Sequence, residues 1–405
     1  MEPYRLTATQ AVSQIQAGTL TVSAYVTSLL SRIEQRDEAV QAWAYLDREL
    51  VLRRARELDV IPPGERGPLY GVVVGVKDVI YTKDMPTQHN SPIYKDDAPA
   101  LDAGCVAILR SSGALILRKT TTTEFAATIT SPATRNPHDP ARTLGGSMIR
   151  PASFNGVYAL KPTWGAISPE GLKVYSLTLD TLGLYARSAA DLELLGASGN
   201  SEAKGVSGMR FAVLKNPRAA FPDPGLGSQH AITKAVALLR EHGATVDEID
   251  NDTVWPDFDQ MPTWHRTVMT TDGRVALDEQ LAGQVENKGG FTHKARLAAL
   301  DGIAALQPRV DQVLQGYEAL LTPSVPDEAP VGFENTGSAA FNSVWRALHV
   351  PVVNVPGFQG EDGLPVGVSL VAPRYRDRHL VRVRAAVGEI FEAQGGWRPK
   401  NHIHD

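Results

Sequence analysis

Residues 136–163 read NPHDPARTLGGSMIRPASFNGVYALKPT, and the chain is best read outward from them. They sit in a longer stretch, 130–171, rich in Pro, Gly, Asn and Ser, in which little regular structure is expected. That is too long for a plain connector, and long loops in α/β proteins commonly carry the active site. Gly145 and Gly146 precede Ser147. Two glycines open backbone conformations closed to other residues. They also let backbone N–H groups approach a substrate oxygen, as an oxyanion hole requires. A serine hydroxyl is a weak nucleophile until a base takes its proton. Taken alone, Gly-Gly-Ser also reads as an ordinary turn.

A base is available upstream in GVVVGVKD, where Lys77 ends a run of β-branched residues. Burying an ammonium is costly, and a buried lysine answers by lowering its pKa into the range of a usable base. Adjacent strand residues point to opposite faces, so Asp78 need not pair with Lys77. The local pattern equally allows a strand-end lysine that reaches solvent.

Around these motifs the chain alternates helix and strand. Residues 7–59 carry apolar residues at three- and four-residue spacing and predict helices. LYGVVVGVKDVIY predicts one or two buried strands. Ala103 to Arg110 predicts a helix closed by Gly113, followed by the strand ALILRK. MRFAVLK, HAITKAVALLREHG and ATVDEID predict strand, helix and strand, and residues 255–316 are mostly helical in pattern. YEALLTPS, AAFNSVWRAL, VPVVNVPG, GLPVGVSLVAP and a helix from His379 to Ala393 complete the chain. Alternation of this kind predicts an α/β fold with a mixed or parallel sheet.

Composition narrows the function. With 405 residues and 43% hydrophobic content, the chain can bury a full core without disulfides or metals. A net charge of −5 offers no basic footprint, so no nucleic-acid partner is expected. No run of about 18 apolar residues occurs, so no membrane span is expected. The N-terminus lacks the pattern of a signal peptide, and a cytoplasmic protein is expected. Cys105 is alone and reads as a buried, inert thiol. No H-E-x-x-H, Cys/His cluster or G-x-S-x-G elbow is present, so neither metal nor cofactor is expected. GVVVGVK misses the phosphate-loop spacing, His265 reads as structural, and the terminal HIHD reads as a frayed end.

Together these strings resemble the amidase signature family over nearly the whole chain. GVVVGVKDVIYTKDMPT resembles its lysine motif, and ILRKTTTTEFA with NPHDPARTLGGS resembles the approach to its serine-rich loop. GGSMIRPASFNGVYALKPTWG resembles its nucleophile segment, and LLTPSVPDEAP and GLPVGVSLVAPRYRD resemble its C-terminal strands. The resemblance implies a single large α/β domain, a central mixed sheet covered by helices on both faces. Residues 1–60 would form a helical region packed on the core and residues 61–400 one continuous fold. It also implies hydrolysis of a small-molecule amide through a serine acyl-enzyme. In the family a lysine, a bridging serine and a nucleophilic serine form the triad. A homodimer is in keeping with the resemblance.

One departure stands out. The family has two Gly-Gly-Ser motifs separated by a loop, a helix and a strand. Here the lead-in to the first runs directly into the follow-on of the second, with roughly two dozen family positions missing. Ser147 aligns with both serines and can be only one. Its downstream context, SMIRPASFNG, assigns it as nucleophile, with Lys77 as base directly or through water, whereas its separation from Lys77, 147 − 77 = 70 residues, suits the bridging serine better. Thr143, Leu144, Gly145 and Gly146 then occupy the oxyanion-loop position, with Thr143 a strained stand-in for the lost hydroxyl. Arg150 reads either as a substrate-orienting group or as half of a structural ion pair. Asp180 and Thr181 read as structural. Residues 255–316 would shape the acyl pocket, with Trp264, Trp345 and Phe341 lining it or packing in the core. The missing serine also leaves open a catalytically impaired relative, a pseudoenzyme or binding protein.

Overall fold

The structure, a computed structural model, describes residues 2–196, 205–215, 223–250, 255–277 and 290–397. The terminal HIHD lies outside them. The described chain forms two compact units, Met1–Ala141 with Ser168–Lys173, and Arg142–Ile167 with Val174–Asp405. The division falls inside the loop that leads to Ser147.

The first unit holds helices α1 (Ala8–Gln16), α2 (Val22–Val40), α3 (Arg48–Asp59) and α4 (Gly104–Ser111). Its three strands are β1 (Trp43–Tyr45), β2 (Val73–Lys77) and β3 (Leu115–Thr120), in the order β1-β3-β2. Strands β2 and β3 run parallel, and β1 is antiparallel to β3. Thr7 and Thr21 cap α1 and α2 by accepting N–H bonds from the third residue onward, which marks where each helix starts. Leu115 and Leu117 of β3 face the core of α1–α3, while Ile116 faces the opposite core with Val106 of α4. The helical reading of residues 7–59 needs correction at Trp43–Tyr45. Two of its three residues are aromatic and suit a strand, but the segment is too short to show a period, and pairing with β3 decides it.

The second unit is built on β4 (Tyr158–Lys161), β5 (Leu184–Ala186), β6 (Arg210–Val213), β7 (Thr245–Glu248), β8 (Ala319–Pro323), β9 (Val352–Gln359) and β10 (Pro365–Val371). Their order is β5-β4-β9-β10-β8-β6-β7, with β6 parallel to β7 and β8 and the other pairs antiparallel. The sheet is therefore mixed. Alternate residues feed two cores: Phe211, Val213, Leu321, Val353, Val355, Val366 and Val368 one, Ala212, Leu320, Val352 and Val371 the other. Helices α6 (Ala189–Leu195), α7 (Leu226–Glu241) and α11 (Asp377–Ala393) cover the first face. Helices α5 (Ile149–Asn155), α8 (Met261–Leu277), α9 (His293–Leu314) and α10 (Ala340–Ala347) contribute to the second. This is the expected α/β fold with a mixed sheet covered on both faces. Within the stretch 130–171, however, α5 and β4 are regular elements. Ile149 and Ala152 are buried, and their packing gives the short helix a stability that its composition conceals.

Candidate active site

Lys77 ends β2 opposite Thr120 of β3 and is half-buried. The fully buried lysine of this unit is a different one. Lys119 has no exposed surface, and its ammonium donates to Ile80 O at 2.6 Å and Thr87 Oγ1 at 2.6 Å. It also lies 3.7 Å from Asp78 Oδ1. Burial pushes its pKa down to about 8, against the pull of the Asp78 charge. Asp78, itself buried, accepts the Gln88 N–H, and desolvation raises its carboxyl above the usual range against the opposing Lys119 charge. Asp78 thus serves Lys119. The signal was present in the sequence, since ALILRK reads as a buried strand that must place its lysine somewhere.

Next to this pair stands His89, fully buried, with both ring nitrogens lacking a partner among the described residues. It stacks on Phe125 at 5.8 Å and meets Tyr94 edge-on at 5.0 Å. Burial first, then the Lys173 and Lys119 charges, lower its pKa to about 4. Phe125 and Ala126 adopt φ of 52° and 56°, a costly region for residues with a Cβ.

In the second unit, the loop before α5 is shaped by its own sequence. Thr143 is buried, donates its N–H to Pro330 O at 3.1 Å, and accepts the Gly145 N–H on Oγ1 at 3.2 Å. Its hydroxyl is therefore tied to the turn. Leu144 O accepts from Asn155 Nδ2 at 3.0 Å, which fixes the loop to the end of α5. Gly145 has φ +101°, and a Cβ there would meet Pro151 backbone at 3.0 Å. Gly146 lies under the Arg150 guanidinium, where a Cβ would come within 2.7 Å of Cζ. The Gly145 N–H is taken, but among the described residues the N–H groups of Gly146 and Ser147 have no acceptor.

Ser147 is exposed, and its hydroxyl has no partner among the described residues. Met148, next in the chain, holds φ 56° and ψ −94°, so the backbone reverses sharply immediately after Ser147. Helix α5 is anchored below by Ser153 Oγ, which accepts the Gly367 N–H at 2.8 Å. Such a turn presents a hydroxyl beside two unoccupied N–H donors, the parts needed to stabilise an anion on a carbonyl oxygen.

Arg150 donates to Gly337 O, and no carboxylate among the described residues pairs with it. Burial lowers its pKa to about 10. Asp180 is structural in its contacts: it accepts the Tyr175 N–H at 2.6 Å and pairs with Arg346. Among the described residues Thr181 Oγ1 reaches only Leu179 O, at 3.4 Å. Phe341 and Trp345 are buried in the core with Trp255 and Phe258, and Trp264 packs against that core. His265 is held well below the usual imidazole range, at about 3, by burial first and by Arg346 second. Among the described residues no His, Cys, Asp and Glu cluster could hold a metal, and no helix is long and apolar enough to cross a membrane.

Both the sequence and the fold have recognisable relatives. The family model described as Amidase matches residues 24–148 and again 144–254. The two matches share residues 144–148, so both claim Gly145-Gly146-Ser147. A glutamyl-tRNA(Gln) amidotransferase subunit from Acidothermus cellulolyticus is 27% identical over 497 residues, covering 97% of the chain and 95% of the relative. That alignment is longer than the chain itself, so the relative carries residues this chain lacks. The corresponding subunit from Thermus thermophilus is 28% identical over 444 residues, covering 89% and 92%. A solved amidase structure superposes with TM-score 0.78 at 25% identity, covering 96% of this chain and 100% of that one. Fatty acid amide hydrolase gives 0.84 at 18% identity, covering 96% and 85%. The matched span takes in more than half of the chain, the fold agrees across nearly all of it, and the chain belongs to the amidase family.

Proposed function

We propose that this protein hydrolyses a small-molecule carboxylic amide to acid and amine through an acyl-enzyme on Ser147. The observation that carries the proposal is the exposed Ser147 hydroxyl beside the unengaged N–H groups of Gly146 and Ser147. In the reaction, Ser147 Oγ attacks the amide carbonyl. Lys77 accepts the proton, directly or through a water, and returns it to the leaving amine. The N–H groups of Gly146 and Ser147 hold the oxyanion, a contribution that comes to about 3–4 kcal/mol per donor in enzymes of this type. Thr143 and Leu144 fix the loop, and Arg150 holds Gly146 in place, with its guanidinium available to a polar substrate group. Water then releases the acid. Residues 255–316 shape the acyl side of the site, no cofactor takes part, and a cytoplasmic homodimer completes the reading.

A second reading is favoured by one observation, the double claim of both family segments on residues 144–148. On that reading the chain folds as an amidase but is catalytically impaired, a pseudoenzyme or binding protein, because one of the two serines is gone. Turnover on a panel of aryl and aliphatic amides separates the two. Hydrolysis lost in both Ser147→Ala and Lys77→Ala supports the first. A cooperative melt with no turnover on any amide supports the second.

A further inference from the structure

The face of the sheet beneath α5 carries polar side chains where apolar ones would serve the core. Ala159 of β4 pairs with Asn354 of β9, Asn354 with Ser369 of β10, and Ser369 with Thr322 of β8. Directly paired residues share a face, so the four form one row across four strands. Asn354 alternates with Val353 and Val355, which face the opposite core, while Ala159 shares a core with Ile149 and Ala152 of α5. The row therefore lies on the side that carries α5. Asn354 and Thr322 have no exposed surface, and Ser369 is buried with them. Burying an amide and hydroxyls costs free energy that valines in the same places would not.

Hydrogen bonds run through this row in one direction. Val157 O, two residues beyond α5, can only accept, and Asn354 Nδ2 donates to it at 2.8 Å. The other end of that amide, Oδ1, is also an acceptor, and Ser324 Oγ donates to it at 2.7 Å. A hydroxyl has one hydrogen, so in the 2.8 Å contact between Ser324 and Ser369 the donor is Ser369. Asn342 Nδ2 holds Ser324 from α10, donating to its backbone oxygen at 2.8 Å. Gly367 makes room for the Asn354 amide, since a Cβ there would come within 2.2 Å of Oδ1. The Gly367 N–H goes to Ser153 Oγ of α5. The sheet thus holds α5 at Ser153 and, through Asn354, just beyond its last turn.

Helix α5 has seven residues, too few to be stable or to fix its own direction. Asn155 passes its placement forward, because Nδ2 donates to Pro151 O at 2.7 Å and to Leu144 O at 3.0 Å. Leu144 leads directly into Gly145, Gly146 and Ser147. Resting on the reading of Ser147 as nucleophile, we propose that Asn354 is a positioning residue for the reaction. Its amide, held in one orientation by Ser324, sets where Ser147 and the N–H groups of Gly146 and Ser147 stand. Such donors work only at hydrogen-bonding distance from the oxyanion, and a displacement of about 1 Å can cost about 100-fold in rate. Thr322 lies in the row but outside this chain of bonds, since its hydroxyl has no partner among the described residues.

The test uses the full chain, an activated aryl amide, and a fluorophosphonate probe that counts working Ser147, so that kcat is expressed per labelled serine. Asn354→Leu keeps the volume and loses the amide. It should lower kcat about 100-fold with KM within about 2-fold of wild type. Ser324→Ala frees the amide to turn over and should lower kcat about 10-fold, while Ser324→Thr, which keeps the hydroxyl, should restore it. Thr322→Val should leave kcat unchanged. If Asn354→Leu does not fold, the two Ser324 variants decide alone. An Asn354→Leu protein that melts lower but keeps the wild-type kcat per labelled Ser147 would overturn the positioning role and leave the nucleophile intact. Equal kcat in Ser324→Ala and Ser324→Thr would overturn it as well. No labelling of Ser147 in wild type would overturn the nucleophile reading, and the role of Asn354 with it.

Discussion

Replacing Gly146 by alanine tests how the loop is held. A Cβ at this position would overlap the Arg150 guanidinium, with Cζ at 2.7 Å and Thr336 Oγ1 at 2.9 Å. Ordinary carbon contacts need about 3.5–4.0 Å, so the guanidinium must retreat by an ångström or more. It is half-buried, and it donates to Gly337 O. Its retreat breaks a charge-assisted hydrogen bond that contributes about 1.5–3 kcal/mol. We therefore expect Gly146→Ala to lose about 2–3 kcal/mol in urea unfolding followed by tryptophan fluorescence. The probe is local, since Trp255 and Trp345 sit in the same core as Ile149. Gly64→Ala is the control, because nothing lies within 4 Å of its Cβ position. It should stay within about 0.5 kcal/mol of wild type. Removing the guanidinium relieves the overlap, so Gly146→Ala and Arg150→Met should couple by at least about 1 kcal/mol. A fully additive pair, or a Gly146→Ala protein as stable as wild type, would refute the reasoning.

Other outcomes follow from the same geometry. Lys119→Met strands the buried Asp78 carboxylate and should cost about 3–5 kcal/mol, while adding Asp78→Asn should recover part of the loss in the same unfolding assay. His89 has a folded pKa of about 4 against an ordinary 6.5, so below pH 6.5 the unfolded chain binds more protons. The stabilisation from keeping it neutral is present above pH 6.5 and lost as pH falls through about 4. Melting temperatures from pH 7.5 to 4.5 should fall less steeply in His89→Phe than in wild type, and parallel curves would contradict this. Trp345→Ala should cost about 3–5 kcal/mol, as for a core aromatic. A raised KM with intact stability would instead mark Trp345 as pocket lining.

Much of the fold was legible because its strands are apolar runs bounded by turn residues. MRFAVLK and GLPVGVSLVAP appear as strands within the spans expected, and ALILRK as one that runs a residue further, to Thr120. Trp43–Tyr45 was hidden because three residues carry too little periodicity to outvote two flanking helices. Helix α5 was hidden behind the Pro, Gly and Asn around it, since its support comes from the sheet beneath. At the site, Gly145 and Gly146 were readable, and the contacts give each a distinct reason to lack a Cβ. Lys119 was not singled out: ALILRK reads as a buried strand, but what its ammonium meets is set by the packing of residues 78–87, which no local spacing encodes.

The central claim is that the one remaining Gly-Gly-Ser still supplies a nucleophile. The most direct measurement is acid-quenched mass spectrometry of the full chain during turnover of an activated aryl amide. A transient acyl adduct on the Ser147 peptide, absent in Ser147→Ala and slowed in Lys77→Ala, is the result expected. Turnover with the adduct on another residue, or persisting in Ser147→Ala, would contradict the account.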